Sequence, residues 1–167
     1  MLETMIFGTV LVGMYVIHGS AVIPAMTGGT AATLLAVLAA AFAFKKDAAR
    51  AKDLALKAAV LAGSAALIFG AMSLNAGKAA RGAARIAAAC EEYKTKTGAY
   101  PENLNALVPE YLTSVPRAKA TIMWAQYRIG GGKVLYSLDP WIMMAGYYDL
   151  ASKKPGFSRI DEMLPVK

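Results

Sequence analysis

The chain has one histidine, His18, and one cysteine, Cys90, so the side chains best suited to catalysis or ligation are each alone. An imidazole in an apolar helix can be an axial ligand to a haem or a chlorophyll, or can relay a proton. His18 precedes Gly19-Ser20 near the end of an apolar run. There it can also bond across helices or lie near lipid headgroups, and this structural role is the stronger expectation. Cys90 cannot form an intrachain disulfide or a Cys-rich metal site, and is expected as a small buried apolar residue. Hydrolytic triads and metalloenzymes need several convergent His, Cys or acidic groups, which this composition does not supply. Glu91, Glu92, Asp139, Asp149, Asp161 and Glu162 read first as a solvated surface, with oxygen-only Ca²⁺ binding at Asp139 or Asp149 the sharper alternative. No catalytic residue, metal site or resident cofactor is expected, and His18 stands as the single cofactor-binding candidate.

The elements that would hold these residues are set by where charge is missing. Residues 4–44 contain no Asp, Glu, Lys or Arg, about twice the ~20 residues that cross a hydrocarbon core of about 30 Å. Residues 58–77 form a second uncharged run between Lys57 and Lys78. The mean hydropathy of +0.43 fits a membrane anchor joined to a small domain. The formal charge is +7, and Lys45, Lys46, Arg50, Lys52 and Lys57 cluster between apolar runs, where anionic headgroups and the positive-inside rule explain them. No aromatic residue is interleaved to stack on bases, so nucleic acid is not expected as a partner. Met1-Leu2-Glu3-Thr4 lacks the basic n-region of a secretory signal, and the first run is expected to be retained.

Three transmembrane spans follow, at about 4–23, 30–44 and 58–77, within a transmembrane region 1–77. Pro24 and Thr27-Gly28-Gly29-Thr30 are the turn signal of an N-terminal hairpin, with Thr30 capping the second helix. Small residues at four-residue spacing, Ala32, Ala36 and Ala40, then Ala58, Ala62, Ala66 and Gly70, mark faces for close helix packing within this protein or with another membrane subunit. The third span continues without proline through Thr97, where Ile86, Cys90 and Tyr93 make an apolar stripe and Gly98 a C-cap. Beyond it, Pro101 starts a short helix carrying Leu104, Leu107 and Val108. Residues 124–129 and 134–138 flank Gly130-Gly131-Gly132 as a β-hairpin, 145–150 adds a strand, and residues 152–156 make a turn. The expected fold is an α+β membrane protein, with a long helix packed on a small antiparallel sheet in a soluble domain 78–167.

Tyr93, Gly98, Tyr100-Pro101, Leu104, Leu107-Val108, Tyr111-Leu112 and Pro116 lie in the segment YKTKTGAYPENLNALVPEYLTSVP. This segment, after a helix that is apolar and then amphipathic, resembles the major pseudopilins of type II secretion and related type IV pilin-like proteins over about residues 55–160. The resemblance implies a pilin-like domain and a non-enzymatic structural or accessory role in a bacterial membrane assembly. Those proteins begin with a basic leader, a Gly cleavage site and a Phe-Thr-Leu-Ile-Glu-like start. Nothing equivalent precedes Ala58, and residues 45–57 contain no Gly. The implied domain therefore stays tethered behind two further helices. The Asp-Pro-Trp-Gly segment of the family is also missing, since Asp139-Pro140-Trp141 comes later and lacks the glycine, so no calcium site is carried over. The expected location is the bacterial inner membrane, multi-pass, with a periplasmic C-terminal domain. The expected partners are lipid and other membrane subunits or further copies of the chain. The alternative is a small haem- or pigment-associated subunit of a respiratory or photosynthetic complex using His18, with a membrane enzyme third.

Overall fold

A computed structural model of the chain describes residues 1–140 and 143–159. The order is α1 (Leu2–His18), α2 (Val22–Phe44), α3 (Ala48–Thr97), a 3₁₀ turn (Leu104–Leu107), then β1 (Tyr127–Gly130), β2 (Lys133–Asp139), β3 (Met144–Asp149) and β4 (Lys154–Arg159). The fold is α+β, with one long helix and a four-stranded antiparallel sheet of order β1-β2-β3-β4. The chain divides into two compact units, Met1–Met72 and Ser73–Lys167, with α3 contributing to both.

In the first unit, α2 and α3 are long and apolar enough to cross a membrane, giving two such helices rather than the expected three. The remaining helix, α1, is apolar but has 17 residues, about 26 Å at ~1.5 Å per residue. The hairpin turn is not at 24–30. It lies at residues 19–21, where Gly19 takes φ 72° and its N–H caps the Tyr15 carbonyl. Pro24 stands in the first turn of α2, where its missing N–H costs no helical bond. Gly28 is inside that helix and buried, with space for a Cβ only 3.0 Å from Leu11 Cδ1. Thr30 does not cap. Its hydroxyl bonds back to Met26 O at 2.8 Å, as Thr9, Thr27, Thr33 and Ser64 bond to the carbonyls four residues before them.

The packing seams also differ from the four-residue rows. Ala32 and Ala58 are buried, but Ala36, Ala40, Ala62, Ala66 and Gly70 are exposed. The buried line of α2 is Ala25, Gly28, Ala32 and Ala39, and that of α3 is Ala58, Leu61, Ala65 and Ile68. Steps of three and four keep a helix on one partner, whereas a strict step of four drifts around it. Leu11, Tyr15, Ala21, Ala25 and Ile68 form the centre. Bulky side chains point outward, including Leu2, Ile6, Val10, Met26, Leu34 and Val37. The basic segment after α2 is a loop only at residues 45–47, because Asp47 starts α3: its Oδ1 accepts the Arg50 N–H at 3.2 Å and its carbonyl the Ala51 N–H at 3.1 Å. Arg50, Lys52 and Lys57 therefore lie on the helix, Lys57 paired with Asp53 at 2.6 Å.

In the second unit, Ala79, Ala83, Ile86, Ala87 and Cys90 of α3 pack against Tyr127, Val134 and Tyr136 of the sheet. Tyr127 opposes Tyr136, and Val134 opposes Tyr148, which fixes this register on the helix-facing side. Residues 154–156, expected as a turn, instead open β4. The turn is made by residues 150–153, with Lys153 at φ 56°. Pro155 is tolerated because β4 is an edge strand.

Candidate functional site

The segment 93–116 closes over the end of α3. Gly98 takes φ 86° and its N–H reaches Lys94 O at 2.8 Å, ending the helix. The chain then turns back, so Tyr100 Oη donates to Glu91 Oε1 at 2.5 Å. That bond, followed by partial burial, pushes the Tyr100 phenol up to about 12. Pro101 is buried, and Asn103 accepts the N–H groups of Asn105 and Ala106 at 3.1 and 3.3 Å, which directs Leu104 and Leu107 into the core. Leu112 follows them inward, Pro116 is half-buried, and the Tyr111 ring meets Tyr93 edge-on with centroids 5.7 Å apart. Lys96 and Glu110 pair at 2.6 Å in solvent and hold the Glu110 carboxyl below its usual range. These residues thus form one fastening of loop to helix, and their contacts are those of packing and capping.

The other sequence candidates are scattered. His18 is half-buried in the last turn of α1, with Nδ1 3.3 Å from its own Met14 carbonyl. Among the described residues no three His, Cys, Asp or Glu side chains gather as a metal site. Asp149 is a turn cap, accepting from the Ser152 N–H at 2.8 Å and its hydroxyl at 3.0 Å. Asp139 is buried, which corrects the expectation of a solvated carboxylate. Trp141 and the Asp161-Glu162 pair lie outside the described residues.

A second group is not foreshadowed by any motif. Asn75, Lys119, Thr121 and Asp139 are all buried in the second unit. Lys119 Nζ donates to Leu138 O at 2.5 Å, and burial lowers its ammonium to about 8 against the opposing attraction of Asp139. Asn75 Oδ1 accepts the Ala120 N–H at 3.0 Å. The one available signal was Asn75 itself, an amide near the end of an otherwise apolar run. The same unit carries an open groove of about 1110 Å³ lined by residues 102–105, 115–117, 122–129, 135–137 and Ala145. Arg117, Trp124 and Arg128 line it, together with Ser137, whose buried hydroxyl has no hydrogen-bond partner among the described residues.

No family model, curated protein or solved structure matches the chain. The segment 93–116 is therefore read from its own contacts, which fasten the loop to the end of α3.

Proposed function

We propose that the chain is a non-enzymatic structural or accessory subunit of a bacterial membrane assembly, holding a pseudopilin-like domain at the membrane on helices that are not removed. The observation that carries this reading is the closure of residues 93–116 over the end of α3, in which Tyr93, Tyr100, Leu104, Leu107, Tyr111 and Leu112 all contact the helix or its core. The outward bulky side chains of α1 and α2 and the hydroxyls bonded within their own helices support lipid as the surrounding medium, since hydrocarbon leaves polar groups no other partner. In this reading α1 is the third span, its shortness met by local thinning or tilt of neighbours. Lys45, Lys46, Arg50, Lys52 and Lys57 keep their end of the helices cytoplasmic, which puts the second unit in the periplasm. The test is a C-terminal alkaline phosphatase fusion, combined with gentle solubilisation of native membranes. An active fusion and a complex several times heavier than the 17.6 kDa chain are expected. An inactive fusion, or a chain that elutes alone, overturns the proposal.

A further inference from the structure

The segment 117–125 has its polarity reversed. Lys119 and Thr121 are buried, while Ile122, Met123 and Trp124 are 68, 43 and 49% exposed. A water-facing loop gains by the opposite arrangement. The exposure is built in, because the segment is tied on both sides. Ala118 N–H reaches Ala125 O at 2.7 Å, Arg117 Nη2 reaches Thr121 O at 2.6 Å, and Thr121 Oγ1 reaches Met123 O at 2.9 Å. Trp124 is held at φ 56°, a backbone region that a bulky residue occupies only when its surroundings enforce it.

The position of this tip is fixed by Asn75, whose side chain accepts the Ala120 N–H at 3.0 Å. Asn75 and its neighbour Leu74, 77% exposed, lie in the last turns of the uncharged run 58–77, and Lys78, Arg81 and Arg85 follow at once. If that run crosses a bilayer, Asn75 marks the interface, and the segment bonded to it is at headgroup depth. We propose that Ile122, Met123 and Trp124 form an apolar tip that enters the interfacial region of the same bilayer that α3 crosses, with Arg117, Lys78 and Arg81 available to anionic headgroups. Tryptophan is the residue type favoured at that depth, with its ring in the acyl boundary and its N–H in the headgroups. Entry at a second point, beside the helix exit, fixes the tilt of the second unit against the membrane and orients the groove that the same residues line. The inference rests on the proposed membrane reading of α3.

The test uses the full chain reconstituted at low density into vesicles of phosphatidylcholine and phosphatidylglycerol. Trp141→Phe leaves Trp124 as the single tryptophan. Lipids brominated at shallow acyl positions are expected to quench its emission on the order of twofold, with aqueous iodide nearly without effect. Should that variant fail to fold, the difference between the parent chain and Trp124→Phe isolates the same signal. A Trp124 open to iodide and untouched by bromolipid overturns the inference, as does one shielded from both, which would mean cover by protein. Alkaline extraction of the same vesicles separates the two levels. A chain that washes off loses the anchor reading and this inference with it, whereas a retained chain with unquenched Trp124 loses the tip alone.

Discussion

Gly82 faces Tyr127 so closely that any Cβ would collide with the phenol, whose hydroxyl donates to Ala79 O at 2.8 Å inside the core. Gly82→Ala should therefore cost about 1–2 kcal/mol in unfolding experiments on the full chain in detergent, despite alanine's better helix propensity. Tyr127→Phe should cost about 1 kcal/mol. Because both substitutions remove the same hydrogen bond, the double variant should fall short of the sum, and strict additivity would show that the contact is not shared. Lys119 gives a pH signature. Its folded value of about 8 lies below the ordinary 10.5, so the folded state binds this proton less well than the unfolded chain. Stability should be lowest below pH 8 and rise towards pH 10, by up to roughly 3 kcal/mol, before the buried tyrosines begin to oppose it. In Lys119→Met that rise should vanish from the unfolding midpoint measured against pH. Neither site was legible in sequence: a lysine and an aspartate twenty positions apart look like surface residues until the fold buries both. The lone cysteine was legible, since a small apolar stripe position on an amphipathic helix has few alternatives to burial.

Among the elements, α3 shows how a local signal outweighs composition. Five cations lie between the apolar runs, yet Asp47 caps a helix that begins at Ala48, so Arg50, Lys52 and Lys57 are helical. Asp47→Ala should weaken that first turn by about 1 kcal/mol, seen as roughly fivefold faster amide exchange at residues 48–52. Unchanged exchange would mean that packing, not the cap, sets the helix start. The apolar periodicity of residues 78–97, the hairpin around Gly131-Gly132 and the third strand were readable, because each is fixed by alternation or by a turn residue. The turn at Gly19 and the strand β4 were not. Glycine and proline usually punctuate a chain, but here Pro24 falls in the first turn of α2, where its missing N–H costs no helical bond, and Gly28 gives Leu11 room inside the helix. Within the chain the packing seams share only Ala32 and Ala58 with the four-residue rows, since a row of small residues does not say which of two adjacent faces packs inside the chain.

At the scale of the whole molecule, the two units follow opposite rules. The first packs alanine and glycine around Leu11, Tyr15, Leu61 and Ile68 and leaves many large apolar side chains exposed, while the second buries aromatic and aliphatic side chains between helix and sheet. Composition made that division legible, because charge is nearly absent from one stretch and regular in the other. α3 runs from the first unit into the second, and residues 45–57, which precede its uncharged run, carry no glycine. Extracting such a chain into a filament would expose each apolar span of about 20 residues to water, a cost that grows with every retained helix. The central claim is thus that α1 and α2 stay attached to the domain behind them. Intact-mass measurement of the protein purified from native membranes tests it most directly. A chain whose mass includes residues 2–44 together with the C-terminal domain is the expected result. A mature chain beginning anywhere between Lys45 and Ala62 would show that the hairpin is a disposable leader and contradict the tethered subunit.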